Sequence, residues 1–239
     1  MTKVLVISDT HINPRNVKES EELWQKLAVY CAETKPEVIV HLGDVGDFDS
    51  QSWLIKNRGI YSLQEEIAAV NSCLKAFENT ITAFNNYQRK CHHTLYRPEK
   101  VLTLGNHDVR NNITDVSDLF EGYGWTVAEY LEPVQVGDIS FVHSASKGLS
   151  DSMCTTAQEL VENWHGSLVV GHGHHKDYFE SFSLPLNRVV FGMRCPAFMY
   201  QASNWAKQTR KKWSLGFTEI DTATSSFVWK DISCLYQIL

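Results

Sequence analysis

Residues 4–11 read VLVISDTH, and this stretch sets the pattern from which the fold can be predicted. Four aliphatic residues are followed at once by polar ones, which is typical of a strand buried on both faces that ends near Ile7. The same pattern recurs at residues 38–42 and 101–104, again with polar residues directly behind. Ligands of open α/β sheets bind at the carboxyl ends of the strands, so these polar clusters mark the predicted site.

The connections between these runs predict helices and parallel strands. Leu23, Leu27 and Tyr30 recur at helical spacing before Pro36, which indicates a crossover helix between the first two strands. The second connection carries a longer apolar stripe, formed by Leu63, Ile67, Val70, Leu74, Phe77, Ile81 and Phe84. It predicts an amphipathic helix that packs on the sheet, with a cap over the site or a dimer seam as alternatives.

The second half of the chain predicts an antiparallel or mixed second sheet. Its strand-like runs are residues 134–136, 139–143, 168–170, 188–191, 216–220 and 226–229, and a helix is predicted at 154–164. The 239 residues contain no internal repeat and no linker-like tract. We therefore expect one domain, residues 1–239, with a mainly helical insertion at about 50–98.

Composition restricts the compartment and the partners. The net charge of -6 argues against a general attraction to nucleic acid, although a local basic groove is compatible with it. The six cysteines contain no C-x-x-C pair, so the sequence suggests neither a zinc ribbon nor a dithiol redox motif and predicts reduced thiols. No signal peptide is recognisable, and no apolar stretch approaches the roughly 20 residues needed to cross a bilayer. We expect a cytoplasmic protein with no membrane partner.

The clusters behind the first two strands offer metal ligands. Asp9 and His11 are two positions apart, and we expect both side chains to leave an extended segment on the same side and to hold one metal ion. A lone D-x-H is common in turns, so it is weak by itself. Gly43 allows a close turn after the second strand, and Asp44 offers a carboxylate able to bridge two cations.

The clusters behind later strands add neutral ligands. Asn106 offers an amide oxygen, and His107 offers an imidazole that can act as a ligand or a proton donor. Asp108 is expected to orient that imidazole. His143 ends a predicted strand, and His172 and His174 repeat the alternate spacing of the first cluster. Histidines also cap, pack or lie in solvent, but five clusters at predicted strand ends favour one shared site.

In this order the clusters resemble the motifs of the calcineurin-like metallophosphoesterase superfamily, which are D-x-H, G-D-x-x-D, G-N-H-[DE], H and G-H-x-H. The resemblance extends from Asp9 to His174. It implies an α/β fold, namely a four-layer α-β-β-α sandwich of two mixed sheets flanked by helices, with two metal ions between the sheet edges.

The resemblance also implies a role for each residue. Asp9, His11 and His174 would bind one metal ion, Asn106, His143 and His172 would bind the other, and Asp44 would bridge them. His107 would be the catalytic imidazole, supported by Asp108, and Asp47 would lie behind the ligands. Arg110 is a candidate phosphate clamp because its guanidinium matches phosphate geometry, with an ordinary surface arginine as the alternative.

The activity implied by the resemblance is hydrolysis of a phosphoester by a hydroxide that bridges the two metal ions. His107 would donate a proton to the leaving oxygen or stabilise the charge of the transition state. Mixed nitrogen and oxygen ligands suit Mn²⁺, with Fe, Zn²⁺ or Ni²⁺ as alternatives.

Two departures from one branch of the superfamily narrow the substrate. Its protein serine/threonine phosphatases carry G-D-x-x-D-R-G and G-N-H-E, whereas this chain has Phe48 and Asp49 after Asp47, and Asp108 in the third motif. This favours a phosphodiester in a nucleotide or nucleic acid. The alternatives are a phosphomonoesterase acting on a nucleotide or phosphoprotein, and a non-catalytic metal-binding scaffold.

The chain also resembles phage-encoded members of the superfamily, which would place it in the host cytoplasm. Two basic stretches could bind single-stranded nucleic acid next to aromatic side chains, or they could form a solvated face with packed indoles. One comprises Arg89, Lys90, His92, His93 and Arg97, and the other comprises Lys207, Arg210, Lys211 and Lys212 among Trp205 and Trp213. The sequence does not fix the oligomeric state.

Overall fold

The fold is taken from a computed structural model, which describes residues 2–52, 60–148, 152–200 and 213–237. Its elements, in chain order, are β1 (Lys3–Ile7), α1 (Val17–Thr34), β2 (Val38–His41), α2 (Leu63–Lys90), β3 (Glu99–Thr103), α3 (Asp115–Gly122), β4 (Thr126–Ala128), β5 (Val134–Val136), β6 (Ile139–Val142), α4 (Ala157–Asn163), β7 (Ser167–Val170), β8 (Asp177–Ser183), β9 (Arg188–Arg194), β10 (Gly216–Asp221) and β11 (Ser226–Asp231).

The strands form two mixed sheets. The first sheet has the order β11-β10-β1-β2-β3-β4, in which β1 to β4 are parallel and β10 and β11 run antiparallel at one edge. The second has the order β5-β6-β7-β9-β8, with β6, β7 and β9 parallel between two antiparallel edge strands. The predicted parallel pair and the predicted mixed sheets are thus confirmed.

Alternating residues of the first sheet serve two different cores, as expected when both faces of a strand are buried. In β1, Val4 and Val6 face the second sheet and pack with its Phe141. Leu5 and Ile7 face the opposite way, into a core shared with the helices α1, α2 and α3. A smaller cluster, which includes Leu160 of α4 together with Val142, Leu168 and Val170 of the second sheet, completes the layers. The predicted four-layer α-β-β-α sandwich is confirmed.

The long predicted helix is α2, and it begins where local chemistry dictates. The Ser62 side chain accepts a hydrogen bond from the Glu65 backbone N–H, and the Glu65 carboxylate accepts one from the Ser62 N–H, which makes a capping box. Val70, Leu74 and Phe77 of its stripe are buried in the core shared with α1. The expectation that this helix packs in the core therefore holds for the described residues.

Two strands were assigned to the wrong sheet by the sequence pattern. Residues 216–220 and 226–229 were expected in the second sheet, but β10 pairs with β1 and β11 pairs with β10 in the first. Periodicity shows that a segment is a strand, but it does not show which distant edge the strand pairs with. Two further strands, β4 and β8, and the helix α3 were not predicted.

The first basic stretch lies far from the predicted ligands. Residues 89–97 connect the end of α2 to the start of β3, whereas Asn106 follows the end of that strand. The two ends of a five-residue strand lie about 16 Å apart, so this stretch lies at the opposite edge of the sheet. The second basic stretch, residues 205–212, lies outside the described residues. Within the described part of the chain, no helix is long and apolar enough to span a membrane.

Candidate metal centre

The predicted ligands converge on loops that follow the strands of both sheets. Asp9 and His11 follow β1, Asp44 follows β2, and Asn106 follows β3. His143 follows β6, while His172 and His174 follow β7. The carboxyl ends of these parallel strands lie at one edge of the sandwich, and the sequence had predicted that edge.

The way in which the ligands converge differs from the expected extended segments. Asp9 and His11 have φ values of 53° and 44°, and Asp44 has 52°. His172 and His174 have 64° and 54°, so all five residues adopt the left-handed region. Such conformations cost about 1–3 kcal/mol each and are held only where the surroundings fix them, which is common at functional sites. Tight left-handed turns, rather than strand alternation, bring these side chains together.

One ligand group contains Asp9, His11 and His174, whose ligand atoms lie within 4.8 Å of one another. The His174 Nε2 atom lies 3.2 Å from Asp9 Oδ1 and 3.1 Å from His11 Nε2. All three side chains are buried. This is the trio that the resemblance implied for the first metal ion.

A second group contains Asp44, His143 and His172, again within 4.8 Å of one another. The His143 Nε2 atom lies 3.0 Å from Asn106 Oδ1 and 3.2 Å from His172 Nδ1. Asn106 therefore joins this group through its amide oxygen. These residues are the ones implied for the second metal ion.

Asp44 lies between the two groups. Its Oδ2 atom is 3.4 Å from His143 Nε2 and 3.9 Å from His11 Nε2. Its Oδ1 atom accepts a hydrogen bond of 2.8 Å from the His107 backbone N–H, which fixes the carboxylate. One carboxylate oxygen thus faces an imidazole of each group, which is the placement that a bridging ligand requires.

The donor set fits divalent cations. In each group two imidazole nitrogens approach within 3.1–3.2 Å of each other beside a carboxylate, so these ligand atoms face a common space. Imidazole with carboxylate and amide oxygens is the mixture that Mn²⁺, Fe and Zn²⁺ accept. The metal identity does not follow from this geometry.

Hydrogen bonds behind the ligands orient two of the imidazoles. His11 Nδ1 lies 2.9 Å from Asp47 Oδ1, and His143 Nδ1 donates to the Leu42 carbonyl at 2.6 Å. Both contacts leave Nε2 to face the shared space, as is usual for metal-binding histidines. Asp47 accordingly lies where the resemblance implied, behind the ligands.

Burial and neighbouring charges together set the pKa values of these ligand groups. Burial alone would lower the pKa of His11, but the hydrogen bond and charge of Asp47 raise it to about 9. His143 shows the same balance, with the Asp44 charge raising its pKa to about 9. Burial alone would raise the pKa of Asp44, yet the neighbouring imidazoles hold it well below its usual range.

We expect metal affinity to rise with pH for this reason. His11 and His143 carry protons below about pH 9, and a cation must displace a proton from each imidazole that it binds. The apparent affinity should therefore increase about tenfold per pH unit for each displaced proton between about pH 6.5 and 8. Competition with a chelator measures this, and equal affinities at the two pH values would contradict it.

His107 and Arg110 form a pair at the rim of the cluster. His107 Nδ1 donates to the Asp47 carbonyl at 2.8 Å, and Arg110 Nη2 donates to His107 Nε2 at 2.8 Å. Arg110 Nη1 also donates to the Asp47 carbonyl at 2.6 Å. Burial lowers the pKa of His107 to about 4, and the Arg110 charge acts in the same direction, so the imidazole is neutral here. Arg110 therefore contacts both His107 and Asp47 and is not an isolated surface residue.

Asp108 does not orient His107, contrary to the expectation from the sequence. Its buried carboxylate accepts hydrogen bonds from the backbone N–H groups of Val45 (2.9 Å) and Gly105 (2.8 Å). The Asp47 carbonyl takes the place beside the imidazole. Asp108 therefore ties the Asn106 loop (residues 105–109) to the Asp44 loop (residues 42–48), because its short side chain points back toward its own turn.

Gly105 is required for that close approach, and we expect Gly105→Ala to disrupt the centre. A Cβ at this position would overlap the Asp44 backbone nitrogen and Oδ1 and lie 2.9 Å from Asp44 Cγ. Overpacking of this kind costs about 1–3 kcal/mol, and here it would displace the bridging carboxylate. Thermal unfolding and bound-metal analysis measure both effects.

Gly122→Ala is the matched control, because a Cβ there would meet nothing within 4 Å. It should leave metal content unchanged and stability within about 1 kcal/mol. Normal metal content in Gly105→Ala would contradict the proposed position of Asp44.

Sequence reasoning missed two groups that support these loops. Glu66 of α2 is buried, and its carboxylate accepts hydrogen bonds from the backbone N–H groups of Asp49 (2.7 Å) and Ser50 (3.3 Å). Glu66 lies four positions before Val70, in line with the apolar stripe of the helix, and this position could have indicated that its carboxylate is buried. Arg194 of β9 is also buried; its guanidinium contacts His175 Nε2 at 2.6 Å and packs against Gly173. No local pattern indicated this contact.

The chain is similar to a known protein family and to solved structures. A family model for calcineurin-like phosphoesterases matches residues 2–206 of the chain. The crystal structure of TT1561 of Thermus thermophilus is similar over 97% of this chain and 99% of that one, with 10% identity and a TM-score of 0.39. Another crystal structure is similar over 96% of this chain and 98% of its own, with 10% identity and a TM-score of 0.40. No curated protein matches the chain.

Proposed function

Because the chain belongs to the calcineurin-like phosphoesterase family, we propose that it hydrolyses a phosphodiester, in a nucleotide or nucleic acid, with two divalent metal ions. The observation that carries this proposal is the position of Asp44, whose Oδ2 faces His143 Nε2 at 3.4 Å and His11 Nε2 at 3.9 Å. In the proposal Asp9, His11 and His174 hold one ion, Asn106, His143 and His172 hold the other, and Asp44 bridges them. Mn²⁺ is the proposed metal.

Two bound cations would supply neutralisation of the phosphate charge and a water of lowered pKa. The residues of the chain exclude water from the centre and position its ligand atoms. The buried carboxylates and imidazoles exclude bulk water from one side of the centre. The Asp47 and Leu42 contacts keep the imidazole Nε2 atoms of His11 and His143 aimed at the shared space.

His107 and Arg110 are proposed to act on the substrate. Arg110 can exchange its contact with His107 Nε2 for a phosphate oxygen, because guanidinium binds phosphate through parallel hydrogen bonds. That exchange frees Nε2, and the added negative charge of the phosphate favours its protonation. The Asp47 carbonyl still holds Nδ1–H. A proton that Nε2 takes up from solvent can then pass to the leaving oxygen.

The side-chain charges beside His107 support a diester over a monoester. A phosphomonoester carries about two negative charges at neutral pH, whereas a diester carries one. Arg110 is the cation beside His107, and its Nη1 lies 3.9 Å from Asp49 Oδ1, which offsets part of its charge. Phe48, at the position of the arginine in G-D-x-x-D-R-G, is buried and apolar. Arg110 is the one lysine or arginine in the described segments 42–52 and 105–112, so these segments offer a phosphate a single side-chain cation.

The test is hydrolysis of bis-p-nitrophenyl phosphate and p-nitrophenyl phosphate in parallel, with Mn²⁺-loaded and metal-stripped protein. We expect metal-dependent turnover with a higher kcat/KM for the diester. A preference for the monoester would instead support a phosphatase acting on nucleotides or phosphoproteins. Two bound ions without turnover of either ester would support a metal-binding scaffold.

A second pair of esters tests whether the protein recognises the nucleoside part of a substrate. Thymidine 5′-p-nitrophenyl phosphate and methyl p-nitrophenyl phosphate share a leaving group and differ in the nucleoside. A lower KM for the thymidine ester is expected if the protein recognises nucleotides or nucleic acid. Equal KM values would remove nucleosides from the proposed substrate class while leaving diester hydrolysis intact.

A further inference from the structure

His41, the last residue of β2, is a buried polar residue that belongs to none of the ligand groups described above. Its ring stacks on Trp24, with centroids 5.9 Å apart and an interplanar angle of 28°, and meets the edge of Phe120 at 6.3 Å. A buried imidazole in such apolar surroundings is costly unless both of its nitrogens have partners. Both of them do.

The partners of His41 lie on two different loops. His41 Nδ1 accepts a hydrogen bond of 3.0 Å from the Gly43 backbone N–H, directly before Asp44. His41 Nε2 lies 3.2 Å from Thr10 Oγ1, between Asp9 and His11. The imidazole therefore connects the Asp9 loop (residues 8–12) to the Asp44 loop.

The hydrogen-bond partners fix the position of the imidazole proton. Gly43 N–H donates to Nδ1, so Nδ1 carries the lone pair. The single hydroxyl hydrogen of Thr10 goes to the Val45 carbonyl at 2.8 Å, so Thr10 Oγ1 accepts from His41. The proton consequently lies on Nε2. Burial also lowers the pKa of His41 to about 3, in agreement with a neutral ring.

We propose that His41 is a positioning residue of the metal centre, which holds the Asp9 loop and the Asp44 loop in register through its neutral Nε2–H imidazole. Four backbone hydrogen bonds join the same loops, from Asp9 N to Gly43 O, His11 N to Asp44 O, Ile12 N to Val45 O and Asp47 N to Ile12 O. These bonds set the spacing of the loops. His41 adds a further side-chain contact, which orients the turns at Thr10 and Gly43, where the left-handed conformations of Asp9, His11 and Asp44 must be maintained. The proposal rests on the metal centre proposed above.

The first test is Mn²⁺ affinity of the full chain, measured by competition with a chelator. His41→Phe keeps the ring volume and removes both nitrogens. We expect it to weaken Mn²⁺ binding by about 10–100-fold, as for other residues that orient metal ligands. His41→Asn keeps an acceptor for Gly43 N–H and should recover part of that loss. Thr10→Val removes the hydroxyl partner and should weaken binding by less than His41→Phe.

Tyr96→Phe is the matched control for a buried hydrogen bond. The Tyr96 hydroxyl donates to the Pro36 carbonyl at 3.0 Å, at the opposite end of β2. Its removal should lower Tm while leaving Mn²⁺ affinity within about twofold of the wild type. Wild-type affinity in a folded His41→Phe variant would overturn the proposal. A loss of affinity in Tyr96→Phe equal to that in His41→Phe would do so as well.

The second test does not depend on any variant or on activity. Nitrogen-15 shifts of the wild-type His41 ring should show the neutral Nε2–H tautomer throughout about pH 6–8. An Nδ1–H tautomer or a charged ring would overturn the proposal even if every variant unfolds. If the wild-type protein binds no metal, the proposed function fails, whereas the tautomer measurement still decides the hydrogen bonding of His41.

Discussion

Asp44→Asn is expected to lower kcat for a phosphodiester by at least about 10³-fold and to release one or both metal ions. The substituted side chain keeps Oδ1, which accepts from the His107 backbone N–H, so the turn retains its hydrogen bond. It replaces Oδ2, which faces His11 and His143, by an NH₂ group that can only donate. Loss of the bridging acceptor removes several kcal/mol of metal-based charge stabilisation.

Steady-state kinetics and metal analysis of the same preparation measure this effect. Asp138→Asn is the matched control, because its exposed carboxylate pairs with Arg188 on the surface, and it should retain wild-type activity. An Asp44→Asn protein with two bound ions and normal kcat would show that Asp44 is not a bridging ligand.

His107→Ala is expected to lower kcat by about 10²–10⁴-fold while two metal ions stay bound. The imidazole lies between the Asp47 carbonyl and Arg110 and is not needed in either proposed ligand set. Its removal deletes the proton path to the leaving oxygen and releases Arg110 from its position. KM should change less than kcat, because the metal ions still bind the phosphate.

The control for His107→Ala is His165→Ala, which removes an exposed histidine and should leave kcat unchanged. A second measurement compares phosphodiesters whose leaving groups differ in pKa. A leaving group of lower pKa needs less protonation, so His107→Ala should lower kcat less for that ester. A loss independent of the leaving group would exclude a proton-donor role, and loss of bound metal would instead make His107 a ligand.

Much of the candidate site could be predicted because each motif is local. A buried strand followed by Asp, Asn or His is visible in a few residues, and parallel strands place such ends at one edge. Asp9 therefore lies with His11 and His174, and His143 lies with Asn106, as expected. Their roles as ligands stay predictions until metal binding is measured.

The remaining features depend on contacts that a local pattern does not contain. Asp108 was expected beside His107, but its carboxylate binds two backbone N–H groups that the fold brings to it. The left-handed turns at Asp9 and His172 are held by contacts between loops. A glycine at either position would have indicated a left-handed turn in the sequence, but neither residue is a glycine. His41 resembles any strand residue until Thr10 and Gly43 are placed around it.

For the fold, too, local features could be predicted and long-range contacts could not. The runs that became β10 and β11 were recognisable as strands, but β10 pairs with β1, which places Lys3 opposite Asp221, and β11 pairs with β10. β4 (Thr126–Ala128) lacks the alternation of apolar and polar residues that Val134–Val136 shows, so no strand pattern stands out there. Local periodicity therefore predicted most elements, whereas sheet membership required the structure.

The most direct test of the central claim is a titration of metal-stripped protein with Mn²⁺, in which bound metal and bis-p-nitrophenyl phosphate hydrolysis are followed together. The account predicts that hydrolysis is absent without metal and reaches its plateau at two bound ions per chain. Full activity at one bound ion, or activity that persists in the stripped protein, would contradict a dinuclear centre bridged by Asp44.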